Sequence, residues 1–279
     1  MTALASLPMY AAPAWAHAAF WDEIRRGLAE RGFADTPESL DEPRDLLAHW
    51  RSPELAFSQT CGLPFSTVLG GEVAMIGVPH YSAAGCAGPS YRSLIVVREE
   101  DDARRLADLP GRRAAINSLD SHSGFSQLVA ALRPFAAGRN VVAGAVASGA
   151  HLASLKLIHS GDADFAAIDC VTWALAARDD PEATRGLRVI GRSPPSLGLP
   201  FVTSRRTGPE FLRALREALA HVAADPALAV VRDALMLVGF SVPHPEAYRG
   251  HADAAEVALE FAAAAAEGRA TTPSRIGGM

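Results

Sequence analysis

The sequence predicts a two-lobed α/β protein with mostly parallel sheets carrying helices on both faces, and three observations lead there. The chain has 279 residues, 49% hydrophobic and 20% charged, enough for about two domains with cores of their own. Strand-like and helix-like segments alternate along most of it, the pattern of sheets covered by helices. No long flexible tether divides it, so the chain is expected to cross between lobes more than once.

Taken in order, Leu4 to Tyr10 predicts a first strand, and Pro13 suits the first turn of the helix that follows. Phe20, Ile24 and Leu28 share one face of that helix, and Gly32 ends it. Further strands are expected at Glu54 to Thr60, Val73 to Tyr81, Ser93 to Arg98, Arg113 to Asn117, Asn140 to Ala147, Ala163 to Asp169 and Leu187 to Gly191. Helices are expected at Ser123 to Leu132, His151 to Ser160 and Val171 to Arg178. The last third predicts helices at Gly208 to Ala223, Pro226 to Val238 and Ala252 to Glu267, followed by a frayed tail.

A net charge of -5, with Lys156 as the only lysine, argues against a nucleic-acid partner, and any anionic ligand must be met by local groups. Residues 3 to 20 are apolar, but no Lys or Arg precedes Arg25, and Pro8, Pro13 and His17 interrupt the run. The stretch is therefore expected to be mature structure rather than a signal peptide. The chain as given is expected in the cytoplasm, or in the periplasm if a leader is missing. Cys61, Cys86 and Cys170 form no CxxC pair.

Two segments carry the chemistry. Arg113 to Phe125 reads as a strand running into Ser121-His122-Ser123-Gly124-Phe125, a Ser-rich turn opening a helix. Such a start gathers backbone N–H groups, the positive end of the helix dipole and hydroxyl donors, which suits an oxyanion. The plainer reading is that Asp120 or Ser121 only caps the helix. In the second segment His151 opens a helix that Gly161 closes, and a buried strand delivers Asp169 at its carboxyl end. Each has a structural alternative, as a satisfied histidine and a helix cap.

These segments resemble the phosphate, phosphite and phosphonate substrate-binding components of ABC importers, a family with the type II periplasmic-binding fold. The family's Ser-x-Ser-Gly-aromatic helix start is similar to Ser121 to Phe125. Its Gly-Ser-His start with a later serine is similar to Gly149-Ala150-His151 and Ser154, with Ala150 in place of the serine. Tyr91-Arg92-Ser93 before the crossover strand and Thr60-Cys61-Gly62 after the second strand are similar too. The resemblance implies lobe I at 1–92 plus 193–279 and lobe II at 93–192, the latter carrying the anion-binding helix starts.

It further implies a small phosphorus oxyanion captured in a cleft by hinge closure, for uptake or sensing, with no metal, cofactor or catalytic residue. On one lobe the ligand residues would be Ser121, His122, Ser123, Gly124, His151, Ser154 and Asp169. On the other they would be Tyr10, Thr60 and Cys61, with Tyr91 and Arg92 at the lobe junction. Asp169 would accept from a protonated ligand oxygen or an amino substituent, and Arg92 would add charge. The expected partners are the ligand and an ABC permease or a regulatory protein, on a monomer. If the protein is exported, a Cys61–Cys86 disulfide is a further expectation. Three rival readings stand beside it: a hydrolase using Ser123, His151 and Asp169; a pyrimidine-synthesis-type protein on the same fold with iron; and a ligand-sensing regulatory module.

Overall fold

The computed structural model describes residues 3–136 and 141–266. In chain order its elements begin β1 Leu4–Ala5, α1 Ala14–Ala29, α2 Leu46–Arg51, β2 Leu55–Gln59, α3 Gly62–Ser66, β3 Val73–Tyr81, β4 Ser90–Tyr91 and β5 Ser93–Arg98. Next come β6 Arg113–Ile116, α4 Gln127–Leu132, β7 Gly144–Ala147, α5 His151–Ser160, β8 Phe165–Asp169, α6 Cys170–Asp179 and β9 Leu187–Arg192. The chain continues through β10 Ser196–Leu197, β11 Phe201–Ser204, α7 Gly208–Ala224, α8 Ala229–Ala234, β12 Leu237–Ser241 and α9 Arg249–Ala266. Asn140 and Glu267, which bound two of the expected elements, lie outside the described residues.

Contacts divide the chain into two units. The first holds the chain up to Tyr91 together with Pro195–Ala252, and the second holds Arg92–Pro194 with the described chain from Asp253 on. That last stretch is expected in the first lobe. Ala258 and Ala262 instead pack in the second unit's core, so α9 begins in one unit and continues in the other.

The first unit has a five-stranded sheet in the order β1-β2-β11-β3-β12. β1 runs parallel to β2, while β11 is antiparallel to β2 and β3, and β12 is antiparallel to β3. Successive residues of a strand face opposite sides, and Phe201 and Val202 of β11 accordingly enter two different cores. One core is covered by α1 and α7, whose contact is close because Gly27 faces Ala218. Phe20, Trp21, Phe57 and Phe201 stack within it. The other gathers Trp50, Leu55, Phe65, Leu69 and Tyr248.

The second unit's sheet runs β7-β6-β8-β5-β9, with β6 parallel to β7 and β8, and β5 antiparallel to β8 and β9. Ile95 and Val97 enter a core with Phe125, Leu128 and Leu132. Their alternates Leu94 and Val96 are also buried, and α5 adds Leu155 and Ile158 as it packs on β6 and β8. Both sheets are thus mixed rather than mostly parallel. β5 and β11 are the first long strands after the chain enters a unit from the other, and each runs against its neighbours.

Other differences are local. The first strand stops at Ala5 instead of Tyr10, and residues 4–29 are built into the first unit through β1 and α1. The expected helix from Pro226 to Val238 ends at Ala234, and Met236, at φ 54°, turns the chain into β12. β11 and β12 were not expected at all.

Candidate anion-binding site

β6 ends at Ile116, and the chain turns within five residues into a continuous helical stretch from His122 to Leu132. Ser121 caps it, its hydroxyl accepting from the Gly124 amide at 3.1 Å. The stretch opens with a π turn, in which the Ser126 amide reaches back to the Ser121 carbonyl at 3.2 Å. Such wide turns widen the first ring of a helix and recur at functional sites. A few residues after β7, His151 begins the ten-residue α5, with Gly149 at φ 83° supplying the left-handed turn before it.

The two helix starts meet through side chains: Ser123 Oγ lies 2.8 Å from His151 Nε2. Ser123 is further held by its carbonyl, which accepts from Ser93 Oγ at 2.9 Å. Burial lowers the His151 imidazole to about 4, and the Ala167 carbonyl offsets this only in part. The residue keeps some exposed surface, but its Nδ1 is enclosed and makes no hydrogen bond of ordinary geometry. His151 is therefore neutral at pH 7 and presents a dipole rather than a charge, beside the positive end of α5.

The other residues expected in this unit are held by neighbours in the fold. Ser154 is 1% exposed, and its hydroxyl lies 2.7 Å from that of Ser148, which also reaches the Ile116 and Ala150 carbonyls at 3.0 and 3.1 Å. The pair clamps the turn before His151 to the end of β6. His122 is buried, its Nε2 2.9 Å from the Gln127 amide nitrogen. Asp169 is buried and caps α6, accepting from the amides of Val171 and Thr172 at 2.7 and 3.3 Å. Arg92 donates to the Ser193 carbonyl at 2.7 Å.

In the first unit, Thr60 is fully buried, its amide bonded to the Pro200 carbonyl, and Cys61 stands at the start of α3. Tyr91 is buried in the β4–β10 pairing, opposite Ser196. Tyr10 packs edge-on against Tyr81, with ring centroids 5.2 Å apart. It also lines a cavity of about 600 Å³ whose walls include Asp22, Glu38, Asp41 and Glu42. Sequence reasoning missed Gln59, whose Nε2 donates to Tyr81 and to the Leu199 carbonyl, both at 3.0 Å. A glutamine ending a strand carries no motif that would have drawn attention to it.

The geometry also bears on the rivals. A nucleophile and base at 2.8 Å fit a hydrolase, but the histidine of such a triad needs a carboxylate on its second nitrogen. Here His151 Nδ1 has no such partner, and Asp169 is engaged with the start of α6. Among the described residues no cluster of three or more His, Cys, Asp or Glu side chains could hold a metal ion, and no disulfide is formed. No described helix is long and apolar enough to cross a membrane.

Comparison with known proteins gives a consistent picture. A family model described as ABC transporter, phosphonate, periplasmic substrate-binding protein matches residues 72–248. No curated protein sequence matches. Among solved structures, PhnD1 from Prochlorococcus marinus in complex with methylphosphonate is 15% identical with a TM-score of 0.73, covering 93% of this chain and 99% of that one. A binding protein component of an ABC phosphonate transporter from Pseudomonas aeruginosa is 14% identical with a TM-score of 0.71, covering 99% of this chain and 91% of that one. The alkanesulfonate-binding protein SsuA from Xanthomonas axonopodis pv. citri, bound to MOPS, is 17% identical with a TM-score of 0.62, covering 94% of each. At these identities the likeness carries the fold, here the type II periplasmic-binding fold, and not the ligand.

Proposed function

Because this chain belongs to the family of ABC-transporter phosphonate periplasmic substrate-binding proteins, we propose that it captures a small phosphorus oxyanion, a phosphonate, phosphite or phosphate, in the periplasm and hands it to an ABC permease. The observation that carries the reading is the meeting of two helix starts through Ser123 and His151 at 2.8 Å. Two positive helix ends, a hydroxyl and a neutral imidazole converge on a place where backbone amides are available. That combination holds a negative charge without a lysine or arginine.

In this reading Ser121, Ser123, Gly124 and His151 contact the oxyanion, while Ser154 positions His151 through Ser148. Hydrogen bonds to a charged group at about 1.5 to 3 kcal/mol each support roughly micromolar affinity once desolvation and ordering are subtracted. Asp169 and Arg92 serve the architecture, since α6 and the Ser193 carbonyl already occupy them.

The test is thermal unfolding with methylphosphonate, phosphite, phosphate, 2-aminoethylphosphonate, methanesulfonate and sulfate. A ligand at about 100 times its dissociation constant adds about 2.7 kcal/mol, or roughly 5 to 10 °C in the midpoint. A shift with a phosphorus oxyanion that disappears in a Ser123→Ala, His151→Ala double variant supports the reading. A panel without any shift overturns it.

A further inference from the structure

Asn117 follows β6 directly and stands between the two helix starts. Its carbonyl accepts from the Gly149 amide at 2.8 Å, tying the end of β6 to the turn before His151. Its side-chain amide lies against Gly124, where an added Cβ would come 2.6 Å from Oδ1 and 3.0 Å from Ser121 Oγ. Gly124 is therefore what lets the Asn117 amide and the capping serine share one place.

Oδ1 of Asn117 is buried and has no hydrogen-bond partner. A buried amide oxygen left in that state costs about 1–3 kcal/mol, and an apolar side chain of similar size would avoid the loss. Packing alone therefore does not account for an asparagine at this position. The residue as a whole is only partly buried, and beside the enclosed Oδ1 its amide carries an NH₂ group, a donor without charge.

We propose that Asn117 is a ligand-contacting residue, its Nδ2 donating to an oxygen of the oxyanion held at the Ser121 to Gly124 turn. The proposal rests on the functional reading and deepens it. Asn117 extends the donor set from the helix starts to the end of β6, and it selects ligand oxygens that carry no proton, because a P–OH group directed at an N–H donor leaves two hydrogens facing one another.

Isothermal titration of methylphosphonate into the parent protein, Asn117→Ala and Asn117→Asp, at pH 7.5 and pH 5, tests this. N117A is expected to bind about tenfold more weakly, and N117D about a hundredfold more weakly, because a carboxylate replaces a donor beside the anion. Relative to the parent, N117D is expected to recover affinity at pH 5 as the new carboxyl takes up a proton. A merely structural asparagine would not produce that recovery. If N117D does not fold, Asn117→Ser, which keeps a donor, must bind more tightly than N117A. Parent-like binding by N117D, or equal losses in N117A and N117D at both pH values, overturns the proposal alone. A parent protein that binds no phosphorus oxyanion overturns the functional reading and this proposal with it.

Discussion

The hydroxyl of Ser123 stands 2.8 Å from Nε2 of His151, joining the first turns of two helices 28 residues apart in the chain. Neither residue needs the other to fold its own helix, since Ser121 caps the first and Gly149 sets the turn before the second. The contact therefore reports on what the helices hold together. Ser123→Ala and His151→Gln are each expected to weaken methylphosphonate binding by about ten- to a hundredfold. Together they should lose less than the product of the single effects, because both act on one ligand oxygen through a shared hydrogen bond. A double-mutant cycle measured by calorimetry checks this, and strictly additive losses would separate the two residues.

Acid sensitivity follows from two buried histidines. His151 and His251 are both lowered to about 4 by burial, and His251 is 2% exposed, with its Nε2 3.1 Å from the Leu197 carbonyl. Well above pH 6.5 each is neutral in both the folded and the unfolded chain. As pH falls from about 6.5 toward 4, the unfolded chain takes up protons that the folded one refuses, so stability is lost across that window. At pH 5 the loss from His251 alone is about 2 kcal/mol. Urea unfolding at pH 7.5 and pH 5 measures it, and His251→Gln should flatten the slope whatever it does to the absolute stability. An equal slope in parent and variant would show that His251 takes up its proton as readily in the folded chain as in the unfolded one.

Much of this was legible in the sequence, and the reasons differ by element. β3, β5 and α5 have the bounds read from hydrophobic pattern and turn residues, because their burial follows from local sequence alone. β11 and β12 were missed because Phe201-Val-Thr-Ser204 is short and alternates poorly, and because the apolar run after Ala229 fits a helix until Met236 turns it. Ser121, Ser123 and His151 were legible as helix starts. Asn117 and Gln59 were not, since only the fold brings Asn117 against Gly124 and Gln59 against Tyr81.

Gly124 offers a sharper test of how tightly the site is built. A methyl group there would meet Asn117 Oδ1 at 2.6 Å and Cγ at 2.8 Å. Gly124→Ala is therefore expected to cost about 1–3 kcal/mol and to reduce binding by displacing the Asn117 amide. Gly144, with nothing within 4 Å of an added Cβ, is the control, and Gly144→Ala should stay within about 0.5 kcal/mol of the parent. Denaturant midpoints and phosphonate titrations on both variants decide it. A G124A protein with parent-like stability and affinity would mean the turn yields easily and does not depend on this close approach.

Asp169 separates architecture from recognition. A carboxylate at the end of a buried strand looked like a ligand acceptor in the sequence, yet its Oδ1 takes the Val171 amide at 2.7 Å and the Thr172 amide at 3.3 Å. A cap of this kind is worth about 0.5–2 kcal/mol. Asp169→Ser keeps a capping oxygen but removes the charge, and Asp169→Ala removes both. If the residue is a cap, D169S should retain most of the stability, D169A should lose about 1 kcal/mol, and both should bind methylphosphonate within a fewfold of the parent. Thermal unfolding and calorimetry on the pair check it. A D169S protein of parent-like stability that no longer binds would return Asp169 to the ligand.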